Sequence, residues 1–183
     1  MRNTPKRLPV TLAVALAAST SLHAAAPSPY AGETQREIKA LSADEVDAYL
    51  AGKGQGLARA AELNGYPGPR HVLDLADELA LSAEQRARTQ QLFEAMQADA
   101  RRIGRTLVEA EARLDRGFAT RSIDEASLGA ALDRIGVLQA ALRGIHLRAH
   151  LAQVAILAPD QIAAYDRLRG YTEGSDAAHR HGH

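Results

Sequence analysis

Two histidines stand four residues apart in a stretch with helical periodicity. His146 and His150 would project from one face of a helix, so their imidazoles could share a metal ion. The chain has no cysteine, so any metal would be held by imidazole nitrogen and carboxylate oxygen, which suits Zn, Ni, Co or Cu. At least one more ligand is needed, from a dimer partner or from His71, Asp77, Glu78 or Glu94. The alternative is that the two histidines are partly exposed side chains of the helix and bind no metal.

The C-terminal tail carries further histidines. Residues 172–183 contain His179, His181 and His183 among Gly, Ser and charged residues without an apolar period, so we expect this tail to be disordered. A disordered segment loses entropy when it binds, so the tail would scavenge metal weakly. A solvated tail without a role is the alternative.

Other patterns associated with chemistry are weak. Gly52, Gly54 and Gly56 follow no predicted strand and precede no Gly-Lys-Ser/Thr, so we interpret them as a flexible joint rather than a phosphate site. The sequence has no nucleophile elbow, no zincin helix motif and no acid pair in a predicted cleft. We therefore expect a protein that is not an enzyme and requires no cofactor.

Two long amphipathic helices would have to position these residues. Their apolar residues recur at steps of three and four, and only a few residues around Gly117 separate the two stripes. The stripes are Leu92, Met96, Ala100, Ile103, Leu107, Ala110 and Leu114, then Leu128, Ala131, Ile135, Leu138, Leu142, Ile145, Ala149, Ala152 and Ile156. Each helix would have about 34 residues and a length of about 50 Å. A short connection predicts antiparallel neighbours, and hence an elongated helical hairpin.

Capping patterns mark the helix ends. Ser42 with Glu45, Ser82 with Gln85, and Ser122 with Glu125 each form a capping box. The first box starts a short helix to about residue 51, the second a long helix to about Arg116, and the third the long stretch to Gln161. Shorter helices are expected over residues 57–63 and 71–79, and from Pro159 to Gly170, with a loop over residues 64–69. The fold class is all-α, because Ala and Leu carry the apolar content.

The N-terminus has the pattern of an export signal. Arg2, Lys6 and Arg7 precede an apolar run over residues 8–18, and small residues follow at 24–26. We expect residues 1–26 to be a signal peptide for the periplasm, with no stable membrane span, and residues 27–41 to be a flexible lead-in. Removing residues 1–26 leaves 19 basic and 22 acidic residues, a net charge of −3, which argues against a nucleic-acid partner.

Two pentads begin the first long helix and the last helix. The first pentad, residues 81–85, has Leu81, Ser82 and Gln85; the second, residues 157–161, has Leu157, Pro159 and Gln161. Together they resemble the paired LTxxQ motifs of the Spy/CpxP family of exported proteins, whose distant kin include ZraP and the CnrX-type metal sensors. The resemblance spans roughly residues 57–171, within a helical domain over residues 42–171. The second pentad departs from the motif at Ala158, which lacks the capping hydroxyl.

The resemblance implies a homodimer of bent hairpins that acts as an ATP-independent holdase or an envelope-stress accessory protein. Its partners would be unfolded client proteins or a signalling partner. The alternative that it implies is a heavy-metal sensor or resistance protein that uses His146, His150 and the tail.

A surface for clients or for a second subunit would combine apolar and cationic side chains. Its candidates are Arg101, Arg102, Arg105, Leu132, Leu147, Leu151 and Val154. The sequence does not separate client binding from dimer contact. The alternative for the arginines is a solvated face on which they pair with nearby acidic residues.

Overall fold

The computed structural model describes residues 28–172, and within these residues all regular structure is helical, which confirms the all-α class. The chain divides into two units at residues 32 and 33; the described part of the first unit is only a turn, and all six helices lie in the second. The helices are α1 (Ala43–Leu50), α2 (Arg59–Glu62), α3 (Pro69–Asp74), α4 (Ala83–Ala119), α5 (Glu125–Val154) and α6 (Pro159–Leu168).

Helices α4 and α5 pack against each other along the predicted apolar stripes. The central positions of both stripes form one buried cluster: Ala100, Leu107, Ala110, Ile135, Leu138 and Leu142. The two helices run in opposite directions. Residues 120–124 connect the end of α4 to the start of α5, and at the other end Gln85, near the start of α4, donates to the carbonyl of Ile156, just after α5. Near that open end, the fully buried Gln153 donates a hydrogen bond of 3.1 Å to Thr89.

A second buried cluster lies where the short helices meet the ends of α4 and α5. It consists of Val72, Ala76, Leu79, Leu81, Leu157 and Tyr165. Leu81 and Leu157 are the first residues of the two pentads, so each pentad is anchored in this cluster by its leucine.

Helix α1 approaches the backbone of α4 closely at Gly104. A Cβ atom at this position would lie 2.3 Å from the carbonyl oxygen of Tyr49. Only glycine leaves the space for this contact, so Gly104 sets how near α1 lies to α4.

The boundaries of the long helices differ from the prediction. The third capping box is formed by Asp124 and Ser127, not by Ser122 and Glu125, because Asp124 has the extended backbone of an N-cap while the Ser122 hydroxyl bonds with Thr120. Helix α4 continues beyond Arg116 to Ala119. Helix α5 ends at Val154, so a turn separates it from Pro159 at the start of α6.

The short helix predicted over residues 71–79 is also displaced. Helix α3 starts at Pro69, whose fixed φ suits the first helical position, and ends at Asp74. Residues 75–80 form turns instead, which end at Ala80 with a positive φ of 48°. The predicted loop is correspondingly shifted by one residue and covers residues 63–68, between α2 and α3.

Part of the segment expected to be a flexible lead-in is packed. Ile38 and Leu41 are buried, and the backbone N–H of Lys39 donates to the carboxylate of Asp115 at 3.0 Å. Residues 38–41 thus differ from the expectation, because one pair of apolar residues is too short a pattern to predict structure, yet both side chains are buried in the folded chain.

The predicted signal peptide lies outside the described residues, as does nearly all of the predicted tail, with its three histidines. None of the helices in residues 28–172 has the length and apolar character that a membrane crossing requires.

Candidate functional site

The two pentads meet through their glutamines. The side-chain amide of Gln85 donates to Oε1 of Gln161 at 2.8 Å, and the amide of Gln161 donates back to Oε1 of Gln85 at 3.1 Å. Each amide also donates to a backbone carbonyl, Gln85 to Ile156 at 2.9 Å and Gln161 to Leu79 at 3.1 Å. We call this cyclic pair the glutamine clasp; it ties the start of α4 to the start of α6.

The same glutamines also cap their helices. Oε1 of Gln85 accepts the N–H of Ser82 at 3.0 Å, while the Ser82 hydroxyl accepts the N–H of Gln85. In the second pentad, Gln161 accepts the N–H of Ala158 at 2.9 Å. Ala158 has no side-chain oxygen that could accept the N–H of Gln161. The first pentad is therefore a full capping box and the second is half of one.

A cavity of about 760 Å³ opens on the side of the fold where α1, α2 and α3 lie against α4 and α5. Its walls come from the glycine-rich loop, from α2 and α3 with their connection, from both long helices and from the residues after α6. The lining includes Lys53, Gly54, Gln55, Gly56, Arg59, Glu62, Leu63, Gly68, Pro69, Arg70, His71, Phe93, Met96, His146, His150, Arg169 and Tyr171.

Glu62 is the buried charge of this cavity. Its Oε1 accepts hydrogen bonds from the hydroxyls of Tyr165 and Tyr171, and its Oε2 accepts the N–H of Gly68 at 3.2 Å. Nδ1 of His71 lies 3.3 Å from Oε1, and Nε of Arg169 lies 3.7 Å from the same oxygen. The carboxylate is therefore surrounded by donors from four parts of the chain.

These donors fix the ionisation of Glu62. Burial by itself would raise the pKa of this carboxyl group, but hydrogen bonds from His71, Tyr165 and Tyr171 outweigh it and lower the pKa to about 2. Burial and the hydrogen bond to Glu62 raise the pKa of Tyr165. Near neutral pH the pair consists of a carboxylate and a neutral phenol.

The two histidines of α5 are buried, so they are not the partly exposed residues that the alternative interpretation described. Nδ1 of His150 donates to the carbonyl oxygen of Tyr66 at 2.7 Å and lies 3.7 Å from Oε2 of Glu62. Nε2 of His146 is buried and has no hydrogen-bond partner among the described residues. Burial, with a smaller contribution from the charge of His150, lowers the pKa of His146.

The structure brings His71, His146 and His150 to the same cavity, although no group of three or more His, Asp or Glu within residues 28–172 has an arrangement that could hold a metal ion. Asp77 pairs instead with Arg86, and Glu94 accepts a hydrogen bond from Gln90. The residue that sequence reasoning missed is Glu62. Its partners lie up to 109 residues away, so no local pattern identifies them.

The expected surface residues differ in exposure. Arg101, Arg102 and Arg105 are exposed, and two of them have local partners: Arg101 donates to the carbonyl of Ala51 and Arg102 pairs with Asp99. The side chains of Leu132 and Leu151 are 52% and 59% exposed, whereas Leu147 and Val154 are half-buried.

Comparisons of the chain with protein-family models, with curated proteins and with solved structures give no match.

Proposed function

We propose that this chain is an exported, ATP-independent holdase or envelope-stress accessory protein of the Spy/CpxP type, which shields apolar segments of unfolded clients in the periplasm. In this proposal the molecule is not an enzyme, and two copies form a homodimer of elongated hairpins. The N-terminal pattern over residues 1–26 supports export.

The observation that carries this proposal is the glutamine clasp. Gln85 and Gln161 occupy the glutamine position of the motif that the two pentads resemble. Their side chains bond to each other and to the backbone beside the opposite pentad. Two similar pentads that bond to each other are stronger evidence of a paired motif than two pentads with separate roles. The clasp thus supports kinship with proteins that carry this motif twice.

The exposed face of α5 is the proposed client surface. Leu132, Val137 and Leu151 are each more than half exposed, and the half-buried Leu147 lies on the same side of the helix. An exposed apolar surface of this kind binds unfolded chains through many weak contacts without a fixed pocket.

Arginines border this face. Arg143 and Arg148 are exposed near its two edges, and the Arg148 guanidinium lies 2.8 Å from where a Cβ of Gly144 would be. Arginine can contact both apolar and anionic groups of a client. We propose that they widen the range of segments that the face accepts.

The test is an aggregation assay on the mature chain from Pro27. A reporter enzyme is heated without ATP, and light scattering is recorded at increasing concentrations of the chain. The double variant Leu132→Ser with Leu151→Ser should protect the reporter about tenfold less well. The matched control is Leu168→Ser, which removes a leucine that is 49% exposed but lies on α6.

Two outcomes would contradict the holdase proposal. One is an unmodified chain that gives no protection, and the other is a double variant that protects as well as the Leu168→Ser control. Sedimentation velocity on the same samples tests the homodimer, so loss of protection can be separated from loss of association.

Metal binding is the second proposal, and it is supported by the three histidines that line one cavity. Calorimetric titration with zinc and nickel tests it on the mature chain and on a chain truncated after Tyr171. Binding that survives truncation and is lost in His146→Ala with His150→Ala would support a site on the helices. Binding that disappears with the tail would support scavenging by His179, His181 and His183.

A further inference from the structure

We propose that the cavity beside Glu62 binds a small organic anion with an apolar body, such as a medium-chain carboxylate. This inference does not depend on the holdase proposal, because it concerns a different part of the molecule from the exposed face of α5.

The cavity has the size and the walls for such a ligand. Its volume of about 760 Å³ falls within the range of small-molecule sites. Leu63, Pro69, Phe93 and Met96 supply apolar surface for the body of the ligand. A compact inorganic ion would leave this surface unused.

The charges of the cavity favour an anion. Among residues 28–172, Glu62 is the only acidic residue that lines the cavity, and this carboxylate is already compensated by Arg169 and by hydrogen bonds from two tyrosines. Arg70 is paired with Asp74 at 3.1 Å. Lys53 and Arg59 also line the cavity, and neither forms an ion pair within residues 28–172. These two cations therefore remain for a ligand.

A buried polar atom also lacks a partner here. His146 lines the cavity and is 4% exposed, and its Nε2 makes no hydrogen bond within the described part of the chain. Leaving such an atom unpaired is costly. The atom is itself buried, so it would donate to the head group of an anion only after a shift of the ring towards the cavity.

The glycine-rich loop lies next to this histidine. A Cβ at Gly54 would be 3.3 Å from Nδ1 of His146, so the backbone of the loop passes close to the ring. The N–H groups of Gly54, Gln55 and Gly56 donate to no backbone or side-chain acceptor among residues 28–172. Gln55 and Gly56 have positive φ values of 41° and 80°, a conformation found in backbone concavities that hold anions. The loop thus adds neutral donors to the two cations.

Calorimetric titration of the mature chain with decanoate, below its micelle-forming concentration, tests the inference. Decanoate should bind at least tenfold more tightly than decyltrimethylammonium, which has the same tail and the opposite charge. The variant Lys53→Gln with Arg59→Gln should weaken decanoate binding about tenfold. The matched control is Arg105→Gln with Arg113→Gln, which removes two exposed cations of α4 outside the cavity and should leave the affinity unchanged.

A second variant tests the location independently of charge. Met96→Trp places a larger side chain in the cavity and should abolish decanoate binding, with circular dichroism showing that the helices persist. Leu132→Ser with Leu151→Ser should leave decanoate binding intact.

Equal affinity for the two amphiphiles, or no binding of either, would overturn the proposal. So would binding that survives Met96→Trp but is lost in the α5 variant, because decanoate would then sit on the exposed apolar face.

Discussion

Gln85 and Gln161 pair their side-chain amides in both directions, although 76 residues separate them in the chain. Each glutamine also accepts the N–H of its own helix cap and donates to a carbonyl beside the opposite pentad. The clasp thus joins two helix starts through side chains that each satisfy several polar groups, which makes it a sensitive point of the fold.

Removing the clasp should destabilise the protein. We expect Gln85→Ala and Gln161→Ala each to lower the free energy of unfolding by about 1–3 kcal/mol, because each leaves partly buried polar groups without partners. The double variant should cost less than the sum of the two, since both remove the same amide pair. Urea denaturation measures all three. Gln91→Ala, at an exposed position of α4, is the control; strict additivity would contradict a shared interaction.

A hydroxyl at position 158 should complete the second capping box. Ala158 has the extended backbone of an N-cap, and Gln161 already accepts its N–H. We expect Ala158→Ser to raise the free energy of unfolding by about 1 kcal/mol. The reverse change at the intact box, Ser82→Ala, should lower it by a similar amount. The measurement is again the urea midpoint, and an unchanged midpoint for Ala158→Ser would argue against the missing cap.

Glu62 should make the fold sensitive to acid. Its pKa is about 2 in the folded protein against a usual value of 4.5, so the unfolded chain binds its proton first as the pH falls. The stabilisation is fully present above pH 4.5 and is lost between about pH 4.5 and 2, at an upper limit of roughly 3 kcal/mol. Denaturation by urea at pH 7, 5, 4 and 3 measures this loss.

The variant Glu62→Gln should be less stable at pH 7 and should lose stability less steeply over the same acid range. Glu78→Gln, which changes an exposed carboxylate, is its control. If Glu62→Gln kept the slope of the unmodified protein, the acid sensitivity would have to come from other groups.

Two helical glycines should respond oppositely to alanine. At Gly104 a Cβ would lie 2.3 Å from a backbone oxygen of α1, so Gly104→Ala should force α1 away and cost about 1–3 kcal/mol. At Gly136 of α5 a Cβ would meet nothing within 4 Å, so Gly136→Ala should stabilise the helix by about 0.5–1 kcal/mol. Thermal unfolding of the two variants measures the contrast, and a stabilising Gly104→Ala would contradict the close approach.

The sequence by itself determined the all-helical class and the starts of α1, α4 and α6. Apolar steps of three and four along α4 and α5, and the capping boxes at Ser42 and Ser82, are local patterns whose physical effect stays within a few residues. The third box was displaced to Asp124 because two overlapping sets of capping residues occur there, and backbone geometry selected one. The tertiary contacts of residues 38–41 could not be predicted, because two isolated apolar residues carry no period.

Only the tertiary structure decided which side chains meet. His146 and His150 were identified by their spacing, but the spacing predicts neither their burial nor the loop that approaches His146. Glu62 receives its hydrogen bonds from Tyr165 and Tyr171, more than 100 residues further along the chain. The glutamines of the two pentads were visible in the sequence as separate motifs, whereas their amide pairing depends on how α4 and α6 pack. Local patterns fix local backbone structure, but a cavity depends on long-range packing, which no short stretch of sequence encodes.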